Sequence, residues 1–134
     1  MSVSTKSIYG LRALLFLAKV YSGKPMLLKR IAAESQLPEK YLEAIFASLK
    51  TANIVKAYRG KGGGYVLNRA ADEISLYEII FACDGEFDLL ASNNESILDS
   101  TAKIWEDLNR YNIDYLKKIT LLDLLGLEDS MYHI

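Results

Sequence analysis

Apolar and polar positions in the first third of the chain follow the period of amphipathic helices. A first helix is predicted over 7–22, after the capping residues Ser4 and Thr5 and before the breaker segment Gly-Lys-Pro at 23–25. Its apolar face is expected to consist of residues spaced three or four apart, widened by two further leucines: Ile8, Leu11, Leu15 and Ala18, with Leu14 and Leu17.

Two short helices follow, predicted over 28–35 and 38–52, and only Gln36 and Leu37 separate them. Helices joined this tightly form a helix-turn-helix. Their shared core is predicted from facing apolar positions: Ile31, Ala32, Leu37, Leu42 and Ile45, extended along the third helix by Phe46 and Leu49. The opposite face of that helix offers Glu39, Lys40, Tyr41, Glu43 and Ala44. An ordinary helical hairpin would bury a similar stripe, so the pattern alone fits both a DNA-binding unit and a plain hairpin.

A β-hairpin is predicted next, because strand-like segments at 54–58 and 65–68 flank the loop RGKGGG. A Walker loop requires Gly-Lys followed by Ser or Thr and then a helix, whereas Lys61 is followed by Gly62. A dinucleotide fingerprint also opens a helix, and this loop opens a strand. We therefore interpret the hairpin as the wing of a winged helix, in which Arg59 and Lys61 meet the DNA backbone or minor groove.

Charge is distributed unevenly between the two halves of the chain. Residues 1–69 carry twelve Lys or Arg and three Asp or Glu, a net charge of +9. Residues 70–134 carry four Lys or Arg and fourteen Asp or Glu, a net charge of −10. This division predicts a front half that binds a polyanion and a separate acidic module behind it.

Several classes of protein are disfavoured by residues that the chain lacks. It has one cysteine, Cys83, and one histidine, His133, so an internal disulfide, a multi-cysteine metal site and histidine-based catalysis are not expected. It has no run of 18 apolar residues and no signal-peptide pattern, which predicts a cytoplasmic protein. Cys83 lies among apolar residues at helical spacing, so a buried, inert thiol is expected there.

The sequences of several short motifs, and their order along the chain, resemble those of the IscR/CymR-type family of bacterial winged helix-turn-helix transcriptional regulators. The matching segments extend over nearly the whole chain: 4–6, 9–14, 41–43, 55–56, 59–65, 73–76 and 79–80. The resemblance implies a homodimer that binds a near-palindromic operator in double-stranded DNA and usually represses transcription. A winged-helix adaptor that does not read DNA is the alternative, although it would have little use for the basic front half.

The resemblance also implies roles for individual residues. Glu43 matches the glutamate that accepts a hydrogen bond from a cytosine amino group, and Arg59 matches the wing arginine of the minor groove. Lys40 and Tyr41 match the helix start that contacts phosphates and base edges. The full set of expected DNA contacts is Lys29, Glu39, Lys40, Tyr41, Glu43, Arg59, Lys61 and Gly62. Many members hold an iron–sulfur cluster with three cysteines, but the corresponding stretch 89–99 has none, which predicts no cluster, metal or other cofactor.

The second half of the chain is predicted to contain a long helix over 95–118. Its apolar residues recur near the 3.5-residue period of helices that pack along a partner: Ile97, Ile104, Leu108, Tyr111 and Tyr115, with Trp105 nearby. We interpret this as a dimerisation helix, the alternative being a helix that lies on its own domain. The expected fold is mainly α with a small β-hairpin: a winged helix-turn-helix domain at 1–83, then a linker, dimerisation helix and tail at 84–134.

The last residues follow a short helix predicted over 120–125 that ends at Gly126. Most tails of this kind are frayed. The ending nevertheless resembles that of the family's cysteine-metabolism repressor, which implies cysteine synthase as a partner of Met131, Tyr132 and Ile134. A pocket built for an amino-acid carboxylate would then receive the α-carboxylate of Ile134.

Overall fold

The computed structural model describes residues 3–90 and 96–132. Within these residues the chain forms six α-helices and one antiparallel hairpin, with a single 3-10 turn at Ala71–Glu73. None of the helices described there is long and apolar enough to cross a lipid bilayer. The predicted fold class, mainly α with a small hairpin, is confirmed. The elements are α1 Thr5–Lys19, α2 Leu28–Ser35, α3 Glu39–Thr51, β1 Val55–Tyr58, β2 Gly64–Leu67, α4 Leu76–Asp84, α5 Thr101–Lys118 and α6 Leu121–Tyr132.

Helix α1 begins earlier than predicted, because the Ser4 side chain caps it by accepting a hydrogen bond from the Ser7 amide. Its buried face is also rotated from the predicted one and consists of Ser7, Gly10, Ala13, Leu14 and Leu17. Ile8, predicted as part of the apolar face, is 49% exposed, so that assignment was wrong. The reason is close packing: a Cβ at Gly10 would lie 3.1 Å from the Cys83 sulfur, so the smallest residues mark the contact face.

The helix-turn-helix of α2 and α3 is confirmed, including its core. All seven predicted core residues are buried: Ile31, Ala32, Leu37, Leu42, Ile45, Phe46 and Leu49. The tight turn depends on Gln36, which has a φ of 58° and donates its backbone N–H to α2 carbonyls. Pro38 then precedes α3 as its N-cap.

The hairpin of β1 and β2 is fixed to the helical body through the loop end of β2. Val55 pairs with Leu67 and Tyr58 with Gly64 in an antiparallel register. The Tyr65 N–H donates to the Met26 carbonyl at 2.8 Å, and the Met26 N–H donates to the Tyr65 carbonyl at 2.9 Å. The segment before α2 therefore acts as a one-residue third strand beside β2, which sets the direction in which the hairpin projects.

Helix α6 returns to the winged domain. Leu121 is completely buried in the core, and its N–H donates to the Ile74 carbonyl at 2.9 Å. Thr120 and Asp123 cap the helix start reciprocally through their side chains and backbone N–H groups. The prediction that the helix ends at Gly126 was wrong, because α6 continues through Gly126 to Tyr132. Gly126 does not adopt the positive φ of a glycine C-cap.

Helix α5 begins at Thr101 rather than 95, so Ile97 lies in the segment before the helix and not on it. The Asn109 side chain joins α5 to the segment that follows α4: its amide donates to Asp88 at 2.9 Å, and its oxygen accepts from the Leu89 N–H at 2.8 Å. The Lys117 ammonium lies 4.9 Å from the centre of the Tyr77 ring on α4. No residue of α5 is buried.

Candidate nucleic-acid interface

The exposed face of α3 carries the polar residues that the sequence assigned to DNA reading. Glu39, Lys40, Tyr41 and Glu43 are all exposed. They lie opposite the buried side of the same helix, whose apolar residues recur every three or four positions as an amphipathic helix requires. Helix α3 therefore presents a polar strip on a backbone that the core holds in place.

Two contacts fix α3 relative to its neighbours. The Lys6 ammonium of α1 donates to the Ser48 hydroxyl at 2.8 Å. The Phe46 ring packs edge-to-face against Tyr65 of β2, with the ring centroids 4.9 Å apart. The Phe46–Tyr65 contact thus couples helix α3 to the hairpin through side chains, and the backbone bonds between Tyr65 and Met26 join the same strand to the segment before α2.

The wing is the loop of residues 59–63 between β1 and β2. Arg59, Lys61 and Gly62 are exposed there. Gly60 and Gly62 have φ values of 87° and 80°, and the Gly63 N–H closes the turn on the Gly60 carbonyl at 3.0 Å. A Cβ at Gly63 would lie 2.3 Å from the Tyr58 carbonyl oxygen, so the tight tip requires glycine.

The cations of this surface form no ion pair with the residues that the structure describes. In the described part of the chain, no ion pair involves Arg59, Lys61 or Lys29, which is exposed on α2. The eight predicted contact residues thus lie on three exposed surfaces: the face of α2, the N-terminal half of α3, and the wing. Their contacts with DNA remain predictions.

A groove between α1 and α3 adjoins the polar strip. It has a volume of about 510 Å³, and its lining includes Thr5, Lys6 and Tyr9 from α1 and Lys40, Tyr41 and Ala44 from α3. We call it the α1–α3 groove. The Tyr9 and Tyr41 ring centroids are 6.4 Å apart, and the Lys40 ammonium lies 5.2 Å from the Tyr41 centroid. Sequence reasoning gave Thr5, Lys6 and Tyr9 no role at a site, although all three lie within the motifs that resemble the family.

The start of α1 is anchored to the end of α4 by a carboxylate. Asp84 accepts hydrogen bonds from the Ser4 N–H at 3.1 Å, from the Ser7 hydroxyl at 2.7 Å and from the Ser4 hydroxyl. Burial opposes ionisation of this carboxyl, but the hydrogen bonds from Ser4 and Ser7 outweigh it and hold the pKa of Asp84 below its ordinary value. Asp84 therefore stays ionised at neutral pH and fixes Ser4 and Ser7, which lie on either side of Lys6 in the sequence.

A helix-turn-helix followed by a hairpin with a basic tip defines the class of winged-helix DNA-binding proteins. The chain belongs to the Rrf2 family, whose model, described as "Iron-dependent Transcriptional regulator", matches residues 3–126. Relatives such as IscR and CymR are likewise transcriptional regulators, so a DNA-binding regulator is the class that the fold, the surface and the family share.

Individual relatives resemble the chain along most of its length. The transcriptional regulator IscR of Sodalis glossinidius is 31% identical over 137 residues, covering 98% of this chain and 82% of its own. The structure of CymR, the global cysteine regulator of B. subtilis, has a TM-score of 0.79 at 35% identity and covers 95% of this chain and 98% of its own. The structure of T. potens IscR has a TM-score of 0.78 at 33% identity, covering 100% and 92%.

The family description raises the question of iron, which the residues present do not fit as a thiolate-held cluster. The whole chain has one cysteine and one histidine, whereas clusters of this type are held by several thiolates. Among residues 3–90 and 96–132, no three His, Cys, Asp or Glu residues come together as a metal site. Cys83 itself is buried, and burial raises the pKa of its thiol to about 11.

Proposed function

We propose that this protein is a homodimeric, sequence-specific transcriptional repressor that acts without an iron–sulfur cluster. The observation that carries the proposal is the wing, whose exposed cations have no carboxylate partner in the described chain, beside the exposed polar strip of α3. Unpaired cations at this place match a polyanionic ligand, and the Rrf2 family supplies the class of regulator. The +9 charge of residues 1–69 supports the same ligand.

In the proposed complex, α3 enters the major groove and the wing lies along the adjacent minor groove. The carboxylate of Glu43 accepts a hydrogen bond from a cytosine amino group and so reads one base pair in each half-site. Arg59 enters the minor groove, while Lys61 and Lys29 neutralise phosphates. Base reading and phosphate binding are thereby assigned to different residues, which makes them separable by mutation.

The proposed dimer forms through an apolar strip on α5, which we call the α5 stripe: Ile104, Leu108, Tyr111 and Tyr115. These residues are separated by four, three and four positions and so share one face of the helix. All four are exposed, between 41% and 69%. Large exposed apolar side chains in a row on a helix are typical of an interface, and a two-fold dimer suits a near-palindromic operator.

Two residues that the sequence placed with this interface have different surroundings. Ile97, before the helix, and Trp105 of α5 both line a crevice of about 280 Å³ together with Asp88 and Leu90. Trp105 is 38% exposed. We keep Trp105 at the edge of the proposed interface and remove Ile97 from the helical stripe, because it is not part of α5.

We expect Arg59→Ala and Lys61→Ala to weaken binding to every duplex, because Lys61 contacts the backbone and Arg59 the negative potential of the minor groove, which all sequences share. The slope of log affinity against log salt should fall by about 0.9 for each phosphate that is no longer neutralised. Glu43→Ala should instead keep the slope and reduce discrimination at one base pair per half-site by about 1–3 kcal/mol. Titrations of a duplex selected from random DNA, repeated at several salt concentrations, would measure both effects.

Lys118→Ala on α5 is the control, because it removes a cation that lies outside the proposed DNA-binding surface. It should leave the affinity and the salt slope unchanged. Unchanged binding of Arg59→Ala at moderate salt would contradict the proposed role of the wing, and complete loss of binding by Glu43→Ala would contradict the separation of base reading from phosphate binding.

We further propose that the protein regulates genes of cysteine metabolism, a role supported by its likeness to CymR, the global cysteine regulator of B. subtilis. Cysteine synthase is its proposed protein partner through the tail. Met131 and Tyr132 lie in the last turn of α6, whereas Ile134 lies outside the described residues.

We expect Ile134→Asp to abolish binding of the host's cysteine synthase, and added O-acetylserine to compete with the unmutated protein. Calorimetric titration that detects no binding by the unmutated protein would exclude this partner.

A further inference from the structure

The α1–α3 groove combines positive charge with an apolar and aromatic lining. Lys6 and Lys40 contribute two cations, Tyr9 and Tyr41 contribute two rings, and Ala44 contributes a small apolar surface. Among the described residues, no acidic side chain lines the groove, and the first turn of α1 contains none. Such a lining complements an anion that also carries apolar surface.

Lys6 is held in position without a direct ion pair to any described residue, although its charge helps to lower the pKa of nearby Asp84. Among the described residues its ammonium donates one hydrogen bond, to the neutral hydroxyl of Ser48 at 2.8 Å. An ammonium has three N–H donors, so two remain for a ligand. The carboxylate at the end of α4, Asp84, accepts instead from Ser4 and Ser7 and anchors the same end of α1. Lys6 is therefore a preorganised cation rather than a mobile surface lysine.

The groove is continuous with the polar strip of α3, since Lys40 and Tyr41 belong to both. A helix that reads the major groove has a phosphate strand on either side of it. The wing is available for one stretch of backbone. The exposed surface of α3 also runs into the start of α1, where Lys6 and Tyr9 lie.

We propose that the α1–α3 groove is a second backbone site, in which Lys6 and Thr5 of α1 bind a phosphate and Tyr9 packs against the adjoining sugar. The inference rests on the proposed DNA-binding function and adds residues of α1 to it. The occupant is one strand of the operator duplex: its phosphates match the two lysines, and its deoxyribose matches the two tyrosine rings. The clamp of α3 between two phosphate contacts would fix the angle at which Glu43 meets its base.

The test compares Lys6→Gln, Ser48→Ala and Lys118→Gln in the full-length chain with a duplex selected from random DNA. Lys6→Gln removes the charge and keeps a side chain that can still donate to Ser48. Ser48→Ala removes the hydrogen bond and keeps the charge, and Lys118→Gln removes a cation elsewhere. We expect only Lys6→Gln to reduce the salt slope, by about 0.9 for each phosphate it no longer neutralises, with base preference unchanged. Ethylation of individual phosphates should locate the contact, because Lys6→Gln should no longer respond to ethylation at that phosphate.

Three results would overturn the proposal, and they are distinguishable. If the unmutated protein binds its duplex and Lys6→Gln keeps the same affinity and slope, the groove is not a backbone site, although the proposed function stands. If Ser48→Ala reproduces the effect of Lys6→Gln, Lys6 acts by holding α3 and not by touching DNA. If the unmutated protein binds no duplex, both this site and the proposed function fail.

Discussion

Leu108→Glu is expected to convert the protein from the proposed dimer, of about twice the 15.0 kDa chain mass, into a monomer. Leu108 is at the middle of the α5 stripe, with Ile104 four residues before it and Tyr111 three after it. In the proposed dimer a glutamate there would be desolvated without a cationic partner, at a cost of several kcal/mol. The apolar area that the leucine buries in the interface would be removed as well.

The same substitution should weaken operator binding by about 10²- to 10⁴-fold, although Leu108 is not part of the proposed DNA surface. In a dimer, the second winged domain binds its half-site at the high effective concentration set by the first. A monomer lacks that contribution while each single domain keeps its own interactions with DNA. Analytical ultracentrifugation and operator titration of the same preparations would therefore give linked changes in mass and affinity.

Leu122→Glu is the matched control, because it makes the same change at a leucine of similar exposure on α6, outside the α5 stripe. It should leave both mass and affinity unchanged. A monomeric unmutated protein would contradict the dimer, and a dimeric Leu108→Glu variant would remove the α5 stripe as its interface. Because α5 has no buried residue in the single chain, the substitution should leave the fold of the protomer intact.

The parts of the fold predicted most closely from sequence are those determined by local signals. The bounds of α2 at 28–35 are as predicted, because the turn at Gln36 and Leu37 is short and the apolar residues on both sides are regular. The hairpin could be located because glycines at its tip need positive φ or lack room for a Cβ, as at Gly62 and Gly63. Composition and spacing contain this information directly.

The errors occurred where tertiary packing decides the outcome. The core face of α1 centres on Gly10 and Ala13 because α4 approaches closely there, and hydrophobicity alone favoured Ile8. Gly126 suggested a helix end, but the capped start at Thr120 and the buried Leu121 hold α6 on the winged domain while the helix continues. Local propensity is a weak guide where packing competes with it.

The candidate site also has one part that could be predicted from the sequence and another that depends on tertiary packing. The basic loop and the polar face of α3 follow from the residues, whereas the roles proposed for Glu43 and Arg59 come from the family resemblance. The α1–α3 groove could not be predicted, because it requires Lys6 and Tyr9 to meet Lys40 and Tyr41 from a helix more than thirty residues away. The available sequence signal was a cation and an aromatic residue three positions apart at the start of α1.

The thiol of Cys83 is expected to react with alkylating reagents at least about 100-fold more slowly in the folded protein than in the denatured chain. Burial raises its pKa from the ordinary 9.0 to about 11, against a smaller opposing effect of the Lys6 charge. At any pH below both values, the folded protein therefore holds about 100-fold less thiolate, which is the reactive species. The 9% exposure of the residue should slow the reaction further.

This ratio would be measured by labelling with iodoacetamide at pH 8, once in buffer and once in urea, and by quantifying the label with mass spectrometry. Cys83→Ser should give no label, because the chain has no other cysteine. Phe81→Cys in that background places a thiol at a position that is 52% exposed on the same helix, and it should react at the rate of a denatured chain. Rapid labelling of native Cys83 would contradict the inert thiol and would make it a candidate for redox sensing. Slow labelling together with DNA binding by Cys83→Ser would leave the regulator's signal to be sought outside cysteine chemistry.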